Sequence, residues 1–191
     1  RVFGSGNLDP ASANPPASTG NVMERGRAVP EAARQAMIDA YDGLVLFSDD
    51  NLRTLVGALR EAGRLDDTVV IVTADHGEAF WDHGIWGHGG SLYEAEVRVP
   101  LVLWAGPRVR ERHPRIPRGP LEVPAAGIDV MPTLLALADA PCPSCEGEDL
   151  LLLAERGERS RPILLEQYLS PRSYTYAVRD SRHKLVYTDF L

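Results

Sequence analysis

The sequence has little of several features that would mark particular classes of protein. It has no apolar run that approaches the roughly 18 residues required for a membrane span. It also has no excess of positive charge: 27 acidic residues against 20 basic ones give a formal net charge of −7. That balance argues against a nucleic-acid surface, which needs a basic patch. A small anionic substrate stays compatible with it, because a bound cation can dominate the local electric field.

The sequence also offers few candidates for a catalytic nucleophile. The sequence contains no G-x-S-x-G motif, which argues against a serine hydrolase. Its only cysteines, Cys142 and Cys145, form a C-x-x-C motif that follows a predicted helix end instead of opening a helix. The acidic residues Glu146 and Glu148 come next and disfavour a reactive thiolate. The motif therefore predicts either a local disulfide or two ordinary thiols in a loop.

What is present indicates a globular α/β domain. The chain has 191 residues, of which 44% are hydrophobic and 25% charged, so one domain with a sizeable core is expected. Residues 1–29 are rich in Pro, Ala, Ser and Gly and predict an irregular segment. Pro30 then suits the start of a helix, in which apolar residues recur every three to four positions until Gly63 ends it. The neighbours Asp49 and Asp50 fall on different faces of that helix, which favours solvation over metal binding.

The stretch from Val69 to Pro100 reads VVIVTADHGEAFWDHGIWGHGGSLYEAEVRVP. It has the highest density of potential catalytic and metal-binding residues in the chain. Its β-branched start, 69–72, predicts a buried strand that runs to about residue 74. Polar residues follow at once, among glycines: Asp75, His76, Glu78, Asp82, His83 and His88. Ligands of open α/β sheets lie outside the carboxyl ends of strands, so this loop is the predicted site.

Asp75 and His76 form the candidate metal pair. In a flat strand two adjacent side chains point to opposite faces, but a turn at Gly77 can bring them together. A carboxylate oxygen with an imidazole nitrogen suits Zn²⁺ or Mn²⁺ and less typically Ca²⁺. The alternative is a capped turn with a solvated histidine. The preceding strand and the histidine–glycine loop favour the metal site, so we expect the two side chains within a few ångströms of each other.

The remainder of the sequence predicts short elements around this loop. They are a buried strand over 99–105, a solvated arginine-rich loop over 108–118, a helix over 128–139 with its leucines toward the core, a strand over 163–168, and a β-hairpin formed by 174–178 and 184–187.

Four segments, in order, resemble the sulfatases of the alkaline phosphatase superfamily. They are AYDGLVLFSDDNLRTLVGALREAGRLDDTVVIVTADHG, TADHGEAFWDHGIWGHGGSLYEAEVRVPLVLW, GIDVMPTLLALADAP and YAVRDSRHKLVY. The resemblance covers about residues 30–187. It implies an alkaline-phosphatase-like mixed sheet flanked by helices, incomplete here, with a C-terminal β-hairpin. It also makes 1–29 an intradomain loop, 30–140 the helix, strand and metal-loop part, and 141–191 the C-terminal strand and hairpin part of one catalytic domain.

The resemblance implies roles for individual residues. It assigns Asp75 and His76 as ligands of a divalent metal, Ca²⁺, Mn²⁺ or Zn²⁺. Many sulfatases carry Asp-Asn here, whereas the Asp-His pair is shared with phosphonate monoester hydrolases and other phosphoryl-transferring relatives. The family also places a substrate-binding lysine shortly before the Tyr-Glu segment. His88 lies next to that position, and we carry over to it the role of anion contact or leaving-group acid, with His83 as a second substrate-binding candidate.

The nucleophile implied by the resemblance, a formylglycine made from the Cys of C-x-P-S-R, has no counterpart in these residues. Ser144 stands where that motif, counted from Cys142, needs proline. We therefore expect the chain to be the C-terminal portion of a longer sulfuric ester hydrolase, inactive by itself and acting on a small anionic ester. Two alternatives stay open: a phosphoryl or phosphonate ester hydrolase of the same superfamily, and a non-catalytic metal-binding module.

Overall fold

The computed structural model describes residues 29–170 and 173–190, and the predicted irregular segment 1–29 lies outside them except for its last residue. The described chain contains both helices and strands. The helices are α1 (Glu31–Glu61), α2 (Glu94–Val97), α3 (Pro107–Arg112), α4 (Val130–Leu137) and α5 (Leu150–Arg156). The strands are β1 (Val69–Thr73), β2 (Ala79–Phe80), β3 (Trp86–Gly87), β4 (Leu101–Ala105), β5 (Ile163–Ser170), β6 (Ser173–Arg179) and β7 (Lys184–Phe190).

The strands form three small sheets: β1 with β4, β2 with β3, and β5–β6–β7. The chain divides into two compact units. Of the described residues, the first comprises those up to 65 together with 72–102, and the second comprises 66–71 and those from 103 onward. We call them unit 1 and unit 2.

Helix α1 begins and ends where the sequence predicts. Pro30 precedes it, and Gly63 follows it with φ 65°, a left-handed conformation that glycine adopts at little cost. Asp49 pairs with Arg53 at 2.7 Å on the solvent-exposed surface, so the solvated role predicted for this acidic pair is confirmed. The predicted buried face differs: large apolar side chains along it, including Leu44 (65% exposed), lie open within the described residues. Burial of this face requires other elements to pack on it. Among the described residues the helix makes few such contacts, for example that of Tyr41 with Phe80.

The hydrophobic core of unit 2 forms where β4 passes into α3. Its members are Ala105, Val109, Ile116 and Leu151, with Val69, Leu103 and Leu137 packed against them. The residue that follows β4, Gly106, donates its N–H to the carbonyl of Thr68 at 2.9 Å, which ties the end of β4 to the start of β1. Both strands are present close to the predicted positions, although β1 is half-buried along most of its length.

The prediction of a solvated loop over 108–118 is wrong for its first residues, because helix α3 (Pro107–Arg112) occupies them. Val109 is 3% exposed and anchors the helix in the core. The many arginines of this segment had suggested that it is solvent-exposed throughout. Arg108 and Arg112 each donate to the Asp67 carboxylate at 2.9 Å. Hydrogen bonds from Arg112 and then Arg108 hold the pKa of Asp67 below its ordinary value.

A buried polar network centres on Asp129, whose side chain is fully buried. Its carboxylate accepts the backbone N–H groups of Ala126 (2.7 Å) and Glu148 (2.8 Å) and both terminal nitrogens of Arg159 (2.5 and 3.1 Å). Thr133 donates its hydroxyl to the Asp129 carbonyl at 2.6 Å. The predicted helix over 128–139 exists, but it buries Asp129, Pro132 and Thr133, while Leu134 is 38% exposed.

The predicted C-terminal hairpin is confirmed as β6 and β7, and β5 adds a third antiparallel strand. At its turn, Asp180 accepts the N–H groups of Arg182 and His183, each at 2.6 Å, and these bonds hold its pKa below the ordinary value. Cys142 and Cys145 are joined in a disulfide, the first of the two states predicted. Within the described residues, no helix is long and apolar enough to cross a membrane.

Candidate functional site

The polar loop of unit 1 is built on a very short hairpin. Strands β2 and β3 pair antiparallel, with Ala79 opposite Gly87 and Phe80 opposite Trp86. The next positions outward are Glu78, just before β2, and His88, just after β3. Ala79 is 2% exposed, so the hairpin is anchored at its base while polar side chains extend beyond it.

The structure places Asp75 and His76 together just beyond the end of β1, as the sequence predicted. Asp75 Oδ2 lies 3.7 Å from His76 Nε2. A second bond fixes the turn: the His76 backbone N–H donates to Asp75 Oδ1 at 3.0 Å. Two atoms 3.7 Å apart can share one ion whose bonds to oxygen and nitrogen are about 2.1 Å long. The Asp75 side chain is 89% exposed, so its carboxylate is accessible from solvent.

The hydrogen bonding of His76 leaves the right atom available for a metal. Its Nδ1 lies 2.9 Å from the carbonyl oxygen of Gly77. A carbonyl can only accept, so Nδ1 carries the proton and Nε2 keeps its lone pair. Metal-bound histidines commonly donate their other ring N–H to a backbone carbonyl in this way. The donor set of Asp75 and His76 therefore fits a divalent cation.

His88 joins His76 from the opposite side of the hairpin. The two imidazole rings stack with centroids 3.8 Å apart and planes inclined by 25°. His88 Nδ1 also lies 3.0 Å from Glu78 Oε2, and the Glu78 side chain is only 18% exposed. One ligand atom from each of His76, Glu78 and His88 can be chosen so that all three lie within 4.8 Å of one another.

Helix α2 braces both ends of the hairpin. Gly77 donates its N–H to the carbonyl of Glu96 at 2.7 Å, and the buried carboxylate of Glu96 accepts the N–H of Gly90 at 2.9 Å. The Ser91 hydroxyl donates to the same carboxylate at 2.5 Å. Gly77 is required by proximity, because a Cβ there would lie 2.1 Å from the carbonyl oxygen of Ala95. The turn at Gly77 thus depends on the absence of a side chain, not on a positive φ.

His83 lies in a different part of the loop. Its ring stacks on Tyr93 with centroids 4.0 Å apart and an interplanar angle of 20°. Both His83 (φ 54°) and Trp81 (φ 68°) adopt the left-handed backbone region, which is uncommon for residues with a side chain. Strain of this kind clusters at functional sites. The structure does not include His83 in the group formed by His76, Glu78 and His88.

Sequence reasoning gave no role to two residues that organise the site. Glu78 was visible as one polar residue of the loop, and the pairing of β2 with β3 is the signal that would have placed it opposite His88. Glu96 was hidden in a short acidic segment, EAEV, whose pattern predicts solvent exposure. The burial of its carboxylate is explained by the N–H groups of Gly90 and Ser91, which donate to it.

Comparison with known proteins identifies relatives of this chain. The chain is 30% identical over 154 residues to the choline-sulfatase of Rhizobium meliloti (strain 1021), an alignment that covers 78% of this chain and 28% of the relative. It is 38% identical over 139 residues to the multifunctional alkaline phosphatase superfamily protein PehA of Trinickia caryophylli, covering 71% and 25%. The chain therefore spans about a quarter of the length of these relatives.

The fold is shared with solved structures of the same superfamily. The phosphonate monoester hydrolase SpPMH of Silicibacter pomeroyi superposes with a TM-score of 0.67 and 24% identity, and the match covers 85% of this chain and 34% of that structure. The predicted alkaline-phosphatase-like α/β class is thereby confirmed. The sulfatase family model matches residues 8–140, which include the whole polar loop. The chain belongs to the sulfatase family.

Proposed function

We propose that the full-length protein is a metal-dependent hydrolase of sulfate esters and that residues 1–191 form part of its catalytic domain. The observation that carries the proposal is the convergence of Asp75 and His76 beyond β1, 3.7 Å apart, within the segment that matches the sulfatase family. The substrate would be a small anionic ester. Sulfatases use a divalent cation and a formylglycine nucleophile, and the C-x-P-S-R source of that nucleophile is absent from residues 1–191.

In this proposal, the residues of the polar loop have separate roles in binding the metal and the substrate. Asp75 and His76 hold the cation, Ca²⁺, Mn²⁺ or Zn²⁺. When bound, such an ion neutralises the anionic oxygens of the ester as a Lewis acid. His88 lies beside this pair, where an imidazolium can contact the anion or give a proton to the leaving oxygen. His83, stacked on Tyr93, is the candidate contact for the remainder of the substrate.

A phosphoryl or phosphonate monoester hydrolase is the second candidate. It is favoured by the Asp-His pair, where many sulfatases carry Asp-Asn, and by the fold shared with a phosphonate monoester hydrolase. Sulfate and phosphonate monoesters both present tetrahedral anionic centres, so the same residues could serve either reaction. The family match and the choline-sulfatase relative favour sulfate.

Turnover of the full-length protein on matched aryl sulfate, phosphate and phosphonate esters tests the proposal. We expect the highest kcat/KM for the sulfate, and no turnover by residues 1–191 alone, because the nucleophile is outside them. Asp75→Ala should lose both the metal and the activity. A preference for the phosphonate would favour the second candidate, and metal-dependent sulfate hydrolysis by residues 1–191 alone would contradict the assignment of the nucleophile.

His88→Ala provides the sharper test of the assigned roles. We expect turnover to fall by about two to four orders of magnitude while the bound metal is retained. The loss should shrink for esters with good leaving groups, which need little protonation. Normal turnover of His88→Ala on an ester with a poor leaving group would remove His88 from the mechanism.

A further inference from the structure

Glu78 faces His88 across the hairpin because of the register of two strands. Ala79 pairs with Gly87, so Glu78 and His88 are the next opposite positions and their side chains are cross-strand neighbours. Glu78 Oε2 lies 3.0 Å from His88 Nδ1. The carboxylate is mostly buried whereas the imidazole is 45% exposed, so Glu78 reaches the ring from the protein side and leaves the other edge accessible.

This contact favours one tautomer of the His88 imidazole. An ionised carboxylate only accepts hydrogen bonds, so the atom of His88 that faces it, Nδ1, carries hydrogen. The second ring nitrogen, Nε2, is then the one available to a substrate. The bond also limits rotation of the ring, and the stacked imidazole of His76 covers one face. The contact thus restrains the position of the His88 ring and favours the tautomer with hydrogen on Nδ1.

We propose that Glu78 is a positioning residue that holds His88 with Nδ1 protonated, so that Nε2 meets the leaving oxygen of the ester. The inference rests on the proposed role of His88. When the proton passes from Nε2 to the leaving oxygen, His88 becomes the neutral form with hydrogen on Nδ1, which still donates to Glu78. The Glu78 carboxylate accepts the same hydrogen bond before and after this step.

The scaffold around the pair supports this role. The hairpin is tied to α2 at both ends: Gly77 donates to the Glu96 carbonyl, and Gly90 donates to the Glu96 carboxylate. Gly77 and Gly90 flank Glu78 and His88 on the outer side of the pair. Side chains held by packing and neighbouring hydrogen bonds keep the geometry that catalysis requires. The Glu78–His88 contact is therefore part of a fixed arrangement.

A direct alternative is that Glu78 is itself a metal ligand, since its carboxylate and the nitrogens of His76 and His88 come within 4.8 Å of one another. The two roles predict different results for Glu78 variants. A ligand contributes to metal affinity, whereas a positioning residue contributes to the state of His88. Metal content and histidine tautomer can therefore be measured separately.

The tautomer can be measured in this chain without turnover. Long-range ¹H–¹⁵N correlation spectra at pH 8, where an ordinary histidine is neutral, distinguish hydrogen on Nδ1 from hydrogen on Nε2. We expect the Nδ1–H form for His88, loss of that preference in Glu78→Ala, and retention of part of it in Glu78→Gln, whose amide oxygen still accepts. His183, which lies in unit 2, is the internal control and should not change. An Nε2–H form in the parent chain, or no change in Glu78→Ala, would overturn the proposal.

Turnover of the full-length protein provides the second test. Glu78→Ala should lower kcat by about 10- to 100-fold, as loss of a residue that orients a functional histidine does. KM and metal content should change little, and the effect should vanish in a His88→Ala background, because the two residues act as one unit. Loss of metal in Glu78→Ala, or additive effects of the two changes, would overturn the inference. Failure of the parent enzyme to hydrolyse sulfate esters would instead count against the proposed function, and the tautomer experiment would still decide the role of Glu78.

Discussion

Two clusters of acidic and basic side chains in this molecule differ in how their charges are satisfied. In unit 1, Asp75 is 89% exposed, and the N–H of the next residue, His76, donates to it. In unit 2, Asp129 is fully buried and accepts two backbone N–H groups and two guanidinium bonds from Arg159. A buried carboxylate needs partners for all its lone pairs, whereas an exposed one can keep them for a ligand.

The difference separates carboxylates that build the fold from carboxylates available for chemistry. The Asp129 network joins segments far apart in sequence, because Arg159 is 30 residues away from Asp129. The hydrogen bonding of Arg159 to the Asp129 carboxylate also raises the pKa of Arg159, and burial opposes that shift. The loop of unit 1 instead directs Asp75, His76 and His88 toward solvent and uses Glu96, which is buried, to hold its backbone. Within that loop, Glu96 plays the part that Asp129 plays in unit 2.

Replacing Asp129 and Asp75 by alanine should give the largest difference in the free energy of unfolding. Asp129→Ala leaves the Arg159 guanidinium buried without its partner, and we expect a loss of about 3–5 kcal/mol in the free energy of unfolding. Asp75→Ala, the matched control, should change it by less than about 0.5 kcal/mol, as surface substitutions usually do. Native-state hydrogen exchange measures the two units separately.

Similar losses of protection in the two variants would contradict this division of roles. If Asp129→Ala cannot be isolated, Asp129→Asn keeps one accepting oxygen and should still lower the protection of α4 amides well below that of the parent chain.

Gly77→Ala should have the next largest effect. The added Cβ would lie 2.1 Å from the carbonyl oxygen of Ala95, so hairpin or helix α2 must shift, at a cost of about 1–3 kcal/mol. Gly57→Ala is the control: it lies in α1 with no atom within 4 Å of the new Cβ, and we expect a stabilisation of about 0.5–1 kcal/mol. Chemical denaturation of the two variants measures both changes. Equal stabilities would show that the Gly77–Ala95 approach does not constrain the loop.

The sequence predicts the site better than the surroundings that hold it. The β-branched run before Asp75 and the glycines after it predict the strand, the turn and the convergence with His76, because these are local in sequence. The roles of Glu78 and Glu96 depend on pairings across the hairpin and with α2, which the alternation of residues does not reveal. Asp129 was missed for the same reason: its partners Glu148 and Arg159 lie 19 and 30 residues further along the chain.

For the fold as well, features set by local sequence were predicted and features set by tertiary packing were not. The bounds of α1 and the C-terminal hairpin follow from helix and turn signals and agree with the structure. Helix α3 was missed because the five arginines between 108 and 118 suggested solvent exposure, although Val109 in the helix is buried in the core. In α4 the leucines were expected to face the core. Leu137 does pack against it, but Leu134 is 38% exposed, because the polar network at Asp129 and Thr133 sets the rotation of the helix.

The smallest expected effect concerns Glu148, which connects the Asp129 network to Ser160. Burial raises the pKa of Glu148, but hydrogen bonds from the Ser160 hydroxyl and backbone N–H, with the charge of Arg159, outweigh it and hold the pKa below its ordinary value of 4.5. A carboxyl whose pKa is lower in the folded state stabilises the fold above its unfolded-state pKa, and this contribution is lost as the pH falls through the folded-state value. Glu148→Gln should therefore lower the Tm at pH 7, and the difference from the parent chain should shrink below about pH 4.5. Calorimetric scans between pH 3 and pH 7 measure this convergence, with Glu158→Gln as an exposed control on the same segment. A Tm difference that stays constant down to pH 3 would mean that Glu148 acts through its shape and not through its charge.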